Sequence, residues 1–156
     1  MDTTMKPTFD ELDAAACYAL LDRNHVGRLA FAYSGHVDVQ PVHYVLREGW
    51  IYGRTSLGEK LQFLAHNWSV AFEVDEIDAL FDWRSVVVHG GFYLLSPNGS
   101  PTEASRWQQA LEALRTLLPA TLTDDDPVPF RNKLFGIAVQ SVTGRKATTT
   151  QDYHAS

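Results

Sequence analysis

The residues best suited to do chemistry gather in one short stretch, Gly53-Arg54-Thr55-Ser56-Leu57-Gly58-Glu59-Lys60. It brings two cations and two hydroxyls to the junction between a strand-like segment and a helix-like one. A phosphate carries about −1.5 to −2 charges near neutral pH and offers three acceptor oxygens. The first turn of a helix offers unpaired backbone N–H groups and a favourable dipole. With Ser56 as N-cap, Leu57, Gly58 and Glu59 form that turn, and Ser56 and Glu59 have capping-box spacing. Arg54 can engage two oxygens together, Lys60 approaches as a point charge, and Thr55 adds a hydroxyl. The same residues also read as a capped surface helix, with Arg54 paired to Glu59 or another acid. Neither GxxxxGK[ST] nor GxGxxG occurs, so a nucleoside-triphosphate or dinucleotide mechanism has no support.

Other chemistry is sparse. The six histidines, His25, His36, His43, His66, His89 and His154, show no HxxxH or HExxH spacing, and no cysteine cluster accompanies them, so no metal is expected. The single cysteine, Cys17, lies in an Ala-rich helical segment and reads as a buried, inert thiol.

The elements that must position this stretch follow from pattern. Residues 1–8 read as a flexible lead-in, and Asp10 caps a helix from Glu11 to about Asp22. Val26 to Tyr33 and His36 to Leu46 read as strands joined at Ser34-Gly35, the second interrupted by Pro41. Glu48-Gly49 turns the chain into a third strand, Trp50 to Arg54. A helix from Leu57 to about His66 follows, with Leu57, Leu61, Leu64 and Ala65 on one face. Trp68 to Asp75 is a fourth strand, and Glu76 to Asp82 reads as an acidic loop. Trp83 to Leu95 is a fifth strand, long enough to bend at Gly90-Gly91. A second long helix runs from about Thr102 to Leu118 and stops at Pro119. Thr121 to Phe130 reads as a surface excursion, Leu134 to Val142 as the sixth strand, and residues 144–156 as a loose tail. Six strands joined mostly by hairpins predict a closed or nearly closed antiparallel barrel with peripheral helices; a doubly wound parallel sheet would need crossover helices between nearly all strands.

A chain of 156 residues fits one domain, 1–156, with its core at about 21–145 and flexible termini. A formal net charge of −6 argues against a nucleic-acid partner. No apolar run approaches membrane-spanning length and the N-terminus has no signal-peptide pattern, which makes a cytoplasmic, non-membrane protein the expectation.

With the strand order in view, the chain resembles the pyridoxamine 5'-phosphate oxidase-like proteins, the flavin mononucleotide (FMN)-binding split barrels. Within them it looks closest to the nitroimidazole resistance reductase-like members. The matching stretches are Val26-Gly27-Arg28-Leu29-Ala30-Phe31, Pro41-Val42-His43-Tyr44-Val45, Ile51-Tyr52-Gly53 through Gly58-Glu59-Lys60-Leu61, Asn67-Trp68-Ser69-Val70-Ala71-Phe72, Trp83 through Gly90, and Val142-Thr143-Gly144-Arg145. The resemblance implies a six-stranded antiparallel split β-barrel that binds FMN. It places the phosphate at Arg54, Thr55, Ser56 and Lys60, the ring along Pro41, Val42, His43 and Tyr44, and Ser85 near the flavin. Of His43 and Tyr44, strand alternation lets only one face the ring; Trp83 is the other ring-side candidate. The resemblance further implies a homodimer with FMN at the subunit interface. The implied reaction is reduction of the flavin by NAD(P)H and its reoxidation by a small electron-poor acceptor such as a nitro compound or quinone, with no protein nucleophile. The alternatives are a non-enzymatic flavin or haem binder and, further off, a true pyridoxamine phosphate oxidase. The substrate-holding C-terminal segment of the last is missing from Gln151-Asp152-Tyr153-His154-Ala155-Ser156.

Overall fold

The computed structural model describes residues 2–33, 35–56 and 68–154 of the chain. In order the elements are β1 (Asp2–Leu12), α1 (Ala14–Arg23), β2 (Val26–Tyr33), β3 (His36–Arg47), β4 (Trp50–Thr55), β5 (Trp68–Ala79), β6 (Asp82–Leu94), α2 (Pro101–Leu117) and β7 (Lys133–His154). The expected helix over 57–66, with Lys60, lies outside the described residues.

All pairings are antiparallel. The sheet order is β1-β7-β4-β3-β2-β5-β6, and β6 also pairs with β7. That last pairing closes β7-β4-β3-β2-β5-β6 into the expected six-stranded barrel, with β1 added along the far half of β7. Local chemistry explains the hairpins. Glu48 (φ 51°) and Gly49 (φ 78°) both take the left-handed conformation that a two-residue hairpin turn requires. Strand alternation fills the interior: Leu29 and Phe31 of β2, Tyr44 of β3, Phe72 and Val74 of β5, Val86 and Val88 of β6, and Phe135 and Ile137 of β7 are all buried in one cluster. A second cluster forms on the outside, where Leu111 and Leu114 of α2 pack on Val45, Tyr52 and Leu134. The caps are Asp13 for α1, accepting from the Ala16 N–H, and Ser100 for α2, accepting from the Glu103 N–H.

The bend expected at Gly90-Gly91 is a register shift between His89 and Gly90. A Cβ on Gly90 would stand 2.2 Å from the Ala138 carbonyl oxygen, a backbone atom that cannot swing aside. Gly90→Ala is therefore expected to cost about 1–3 kcal/mol or more. Denaturant unfolding tests this; a wild-type midpoint would show that the bulge moves freely.

Four expectations are corrected. Residues 2–8 of the expected lead-in are the first part of strand β1, and residues 144–154 of the expected tail are the continuation of β7; the two strands pair from Asp2↔His154 to Leu12↔Gly144. Because β1 runs to Leu12, the first helix begins at Ala14, capped by Asp13 and not Asp10. The acidic stretch after Asp75 is the rest of β5, paired through Ile77↔Trp83 and Ala79↔Asp82. Its charges are held: Glu76 accepts from Arg23, Asn24 and Arg84. These bonds, led by Arg23, draw its carboxyl down to about 2.

Candidate functional site

β3 and β4 pair through Tyr44↔Gly53. The next residues along that ladder, His43 and Arg54, line one cavity of about 410 Å3. Its other walls are His25 before β2, the end of α2 (Leu114, Leu117) and the following segment, including Leu118, Thr121, Val128 and Arg131.

Arg54 is buried and engaged. Its Nε donates to the Arg131 carbonyl at 2.8 Å, and one Nη to the Val128 carbonyl at 3.1 Å. Its two Nη atoms meet the Asp126 carboxylate at 3.2 and 2.5 Å. Four of five N–H donors are thus satisfied within the chain, leaving one without a partner among the described residues. Asp126 is equally fixed, accepting from the Leu122 and Val128 N–H groups. The Arg54 guanidinium, helped by those backbone bonds and opposed by burial, holds the Asp126 carboxyl well below the usual carboxylate range. A bidentate pair of this kind cancels most of the local charge. Asp126 was not foreseen as a site residue; its only sequence signal is membership of Asp124-Asp125-Asp126.

Thr55 and Ser56 sit at the end of β4. The Thr55 hydroxyl donates to the Ser56 carbonyl at 3.1 Å, and Ser56 is exposed. On β3, Pro41 and His43 are exposed whereas Val42 and Tyr44 are buried. Tyr44 lies in the barrel interior, edge-on to Phe72, with its hydroxyl donating to the Leu21 carbonyl at 2.6 Å. Burial pushes that hydroxyl's pKa far above its ordinary value of 10. Of the adjacent pair, His43 alone lines the cavity.

Ser85 and Trp83 stand elsewhere on the barrel wall. They are four strands away from Arg54 by way of β3, β2 and β5, and two by way of β7, where Arg54 pairs with Leu134 and Ser85 with Arg145, eleven residues further along. The Ser85 hydroxyl donates to Glu73 at 3.0 Å. Arg28 lies 3.3 Å from Glu73 and 3.4 Å from Asp75. Trp83 packs against Phe9 of β1, ring centroids 6.3 Å apart. Arg28 and Arg84 are both in ion pairs.

Within this group burial, and then the hydrogen bond that the protonated Glu73 donates to Asp75, push the Glu73 carboxyl up to about 6 from an ordinary 4.5. The folded chain therefore holds this proton more tightly than the unfolded one. The resulting stability is complete below about 4.5 and is lost as pH rises through about 6. Glu73→Gln is expected to remove that loss, so the difference in stability between wild type and variant moves against the wild type between pH 4.5 and 6.5. Unfolding midpoints across that range test it, and a constant difference would refute it.

A model of the pyridoxamine 5'-phosphate oxidase family matches residues 13–146, most of the chain. The chain belongs to this family. The family pairs the FMN-binding split barrel with oxidoreductase-like chemistry. Solved structures share the architecture. An FAD-binding protein from Mesorhizobium loti is 25% identical, with a TM-score of 0.63 over 93% of this chain and 99% of its own. A candidate pyridoxamine 5'-phosphate oxidase from Corynebacterium glutamicum is 25% identical, with a TM-score of 0.66 over 92% and 100%. A candidate 5-nitroimidazole antibiotic resistance protein from Bacteroides thetaiotaomicron is 12% identical, with a TM-score of 0.65 over 98% and 96%, and shows the shared fold alone. No curated protein matches the chain. Among the described residues, no helix of this family member is long and apolar enough to cross a membrane.

Proposed function

We propose that the chain is an FMN-dependent oxidoreductase that works as a homodimer, taking electrons from NAD(P)H and passing them to a small electron-poor acceptor. The observation that carries this is the meeting of β3 and β4 at one cavity, with the half-buried Thr55 and the exposed Ser56 at the end of β4, in a member of this family. FMN, when bound, supplies the two-electron chemistry itself; the protein orients it and controls access. The residues fit such a group in a particular way. The Thr55 and Ser56 hydroxyls, with Lys60, would hold the phosphate. Arg54 would add only its remaining N–H, because Asp126 and the Arg131 and Val128 carbonyls hold the rest. Pro41 and Val42 would flank the ring through their backbone, and His43 would stand between ring and cavity. Ser85 and Trp83 would reach the ring from a second copy.

The test is the absorption spectrum of the purified protein, followed by identification of the released chromophore. The expected outcome is a yellow protein that releases FMN and bleaches under anaerobic NADH or NADPH. A colourless protein that takes up no added FMN would defeat the reading. A second reading, with FAD in the same place, is favoured by the FAD-binding relative from Mesorhizobium loti; release of FAD would select it.

A further inference from the structure

The cavity beside His43 has a chemical character that the phosphate and ring positions leave unused. One side is apolar, built by Leu114, Leu117 and Leu118 at the end of α2 and by Val128. The polar side carries His25, His43, Thr121 and two arginines. The Thr121 hydroxyl donates to the Leu118 carbonyl and the His25 Nδ1 lies 3.2 Å from the Tyr44 carbonyl, so these two are engaged within the chain. The arginines differ. Arg54 is neutralised by Asp126. Arg131 has no carboxylate partner among the described residues; its guanidinium lies 5.7 Å from the ring of exposed Phe130. His43 likewise has no hydrogen-bond partner among the described residues.

A volume of about 410 Å3 suits a small ring compound. A neutral apolar occupant would desolvate Arg131 and His43 without replacing their water. A polyanion would set charge against the leucines. An apolar body with one carboxylate satisfies both sides, since a guanidinium binds a carboxylate through paired N–H donors.

We propose that this cavity binds a small cyclic or aromatic monocarboxylic acid, its carboxylate toward Arg131 and His43 and its ring against Leu114, Leu117 and Val128. As the electron acceptor, an acid of this class carrying a reducible group, it rests on the flavin reading. As a binding site it stands on the cavity alone.

Calorimetric titration of the purified full chain with benzoate and with benzyl alcohol, before and after saturation with FMN, tests this. Benzoate is expected to bind saturably in both states, and the alcohol at least about tenfold more weakly. Arg131→Gln is expected to weaken benzoate by about tenfold or more while leaving FMN affinity, read from quenching of flavin fluorescence, unchanged. Leu117→Trp, at a partly exposed helix position, is expected to fill the cavity and abolish benzoate binding with an unchanged thermal midpoint. Equal binding of acid and alcohol, binding of neither, or expulsion of benzoate by FMN would each overturn the assignment. A chain that binds benzoate and never FMN would defeat the flavin reading and leave this one standing.

Discussion

Asp126→Ala is expected to lower the thermal midpoint by on the order of 10 °C. The reason is what it leaves behind. The side chains of Arg54 and Asp126 are only 7% and 1% exposed, and the carboxylate takes two of the four engaged donors of the guanidinium. Removing it leaves a nearly buried cation beside Leu114, Leu118 and Val128 without its carboxylate. It also frees the N–H groups of Leu122 and Val128, which shape the segment between α2 and β7. Replacing both members by apolar residues, Arg54→Met with Asp126→Leu, removes the charge along with its partner and is expected to be less damaging than Asp126→Ala alone. A double variant that melts lower than the single one would refute the argument. The pH dependence has a definite sign. The carboxyl is depressed in the fold, so the pair's contribution is present above the ordinary carboxylate range and is lost only as pH falls through the depressed value. The wild type should therefore keep its advantage over Asp126→Ala down to about pH 4.

This pair also marks how far the chain could be read from its sequence. Features carried by neighbours in the chain were legible. Glu48-Gly49 marks its hairpin, alternation marks the inward face of β2, and Gly90 marks the bulge at which β6 keeps pairing with β7. Features made by distant residues were not. Arg54 and Asp126 are 72 positions apart, and nothing local separates a partnered aspartate from the two beside it. Arg54 therefore looked like a free phosphate grip, although most of its donors are taken. β1 and the end of β7 failed for another reason. Asp2-Thr3-Thr4 and Thr148-Thr149-Thr150 carry no apolar alternation, so the strand character of these stretches comes from the pairing of β1 with the end of β7 (Thr4↔Asp152, Thr8↔Thr148) across the whole chain. The pair Tyr44 and His43 stood between these cases. Alternation required them to face opposite ways, and only the burial of Tyr44 against Phe72 told which one faces out.

The other large expected effect follows from the proposed homodimer. Pro41 stands beside Arg28, Arg28 beside Glu73, and Glu73 beside Val87, so β3, β2, β5 and β6 form one continuous outer wall. From Arg54 on β4 to Ser85 on β6 is four strand spacings, roughly 19 Å along that wall at ~4.8 Å each. Because the barrel is closed, side chains on its outside diverge. One flat ligand cannot touch Thr55 and Ser56 at one end of this row and Ser85 and Trp83 at the other, if all come from one chain. The same wall exposes Val26, Val37 and Val39 at 46%, 76% and 61%, an apolar surface suited to a second barrel. If each flavin takes its phosphate contacts from one chain and Ser85 with Trp83 from the other, damage to the two ends must complement. Thr55→Ala with Ser56→Ala, and separately Trp83→Ala with Ser85→Ala, are each expected to lower FMN affinity by at least about tenfold as homodimers. Co-expressed with different tags and purified through both, the mixed dimer has one site with both lesions and one with neither. It is expected to bind one FMN per two chains at wild-type affinity. Sites that all lie within single chains would give the opposite result, two weakened sites and no tight one, and flavin titration of the mixed dimer separates the two outcomes directly.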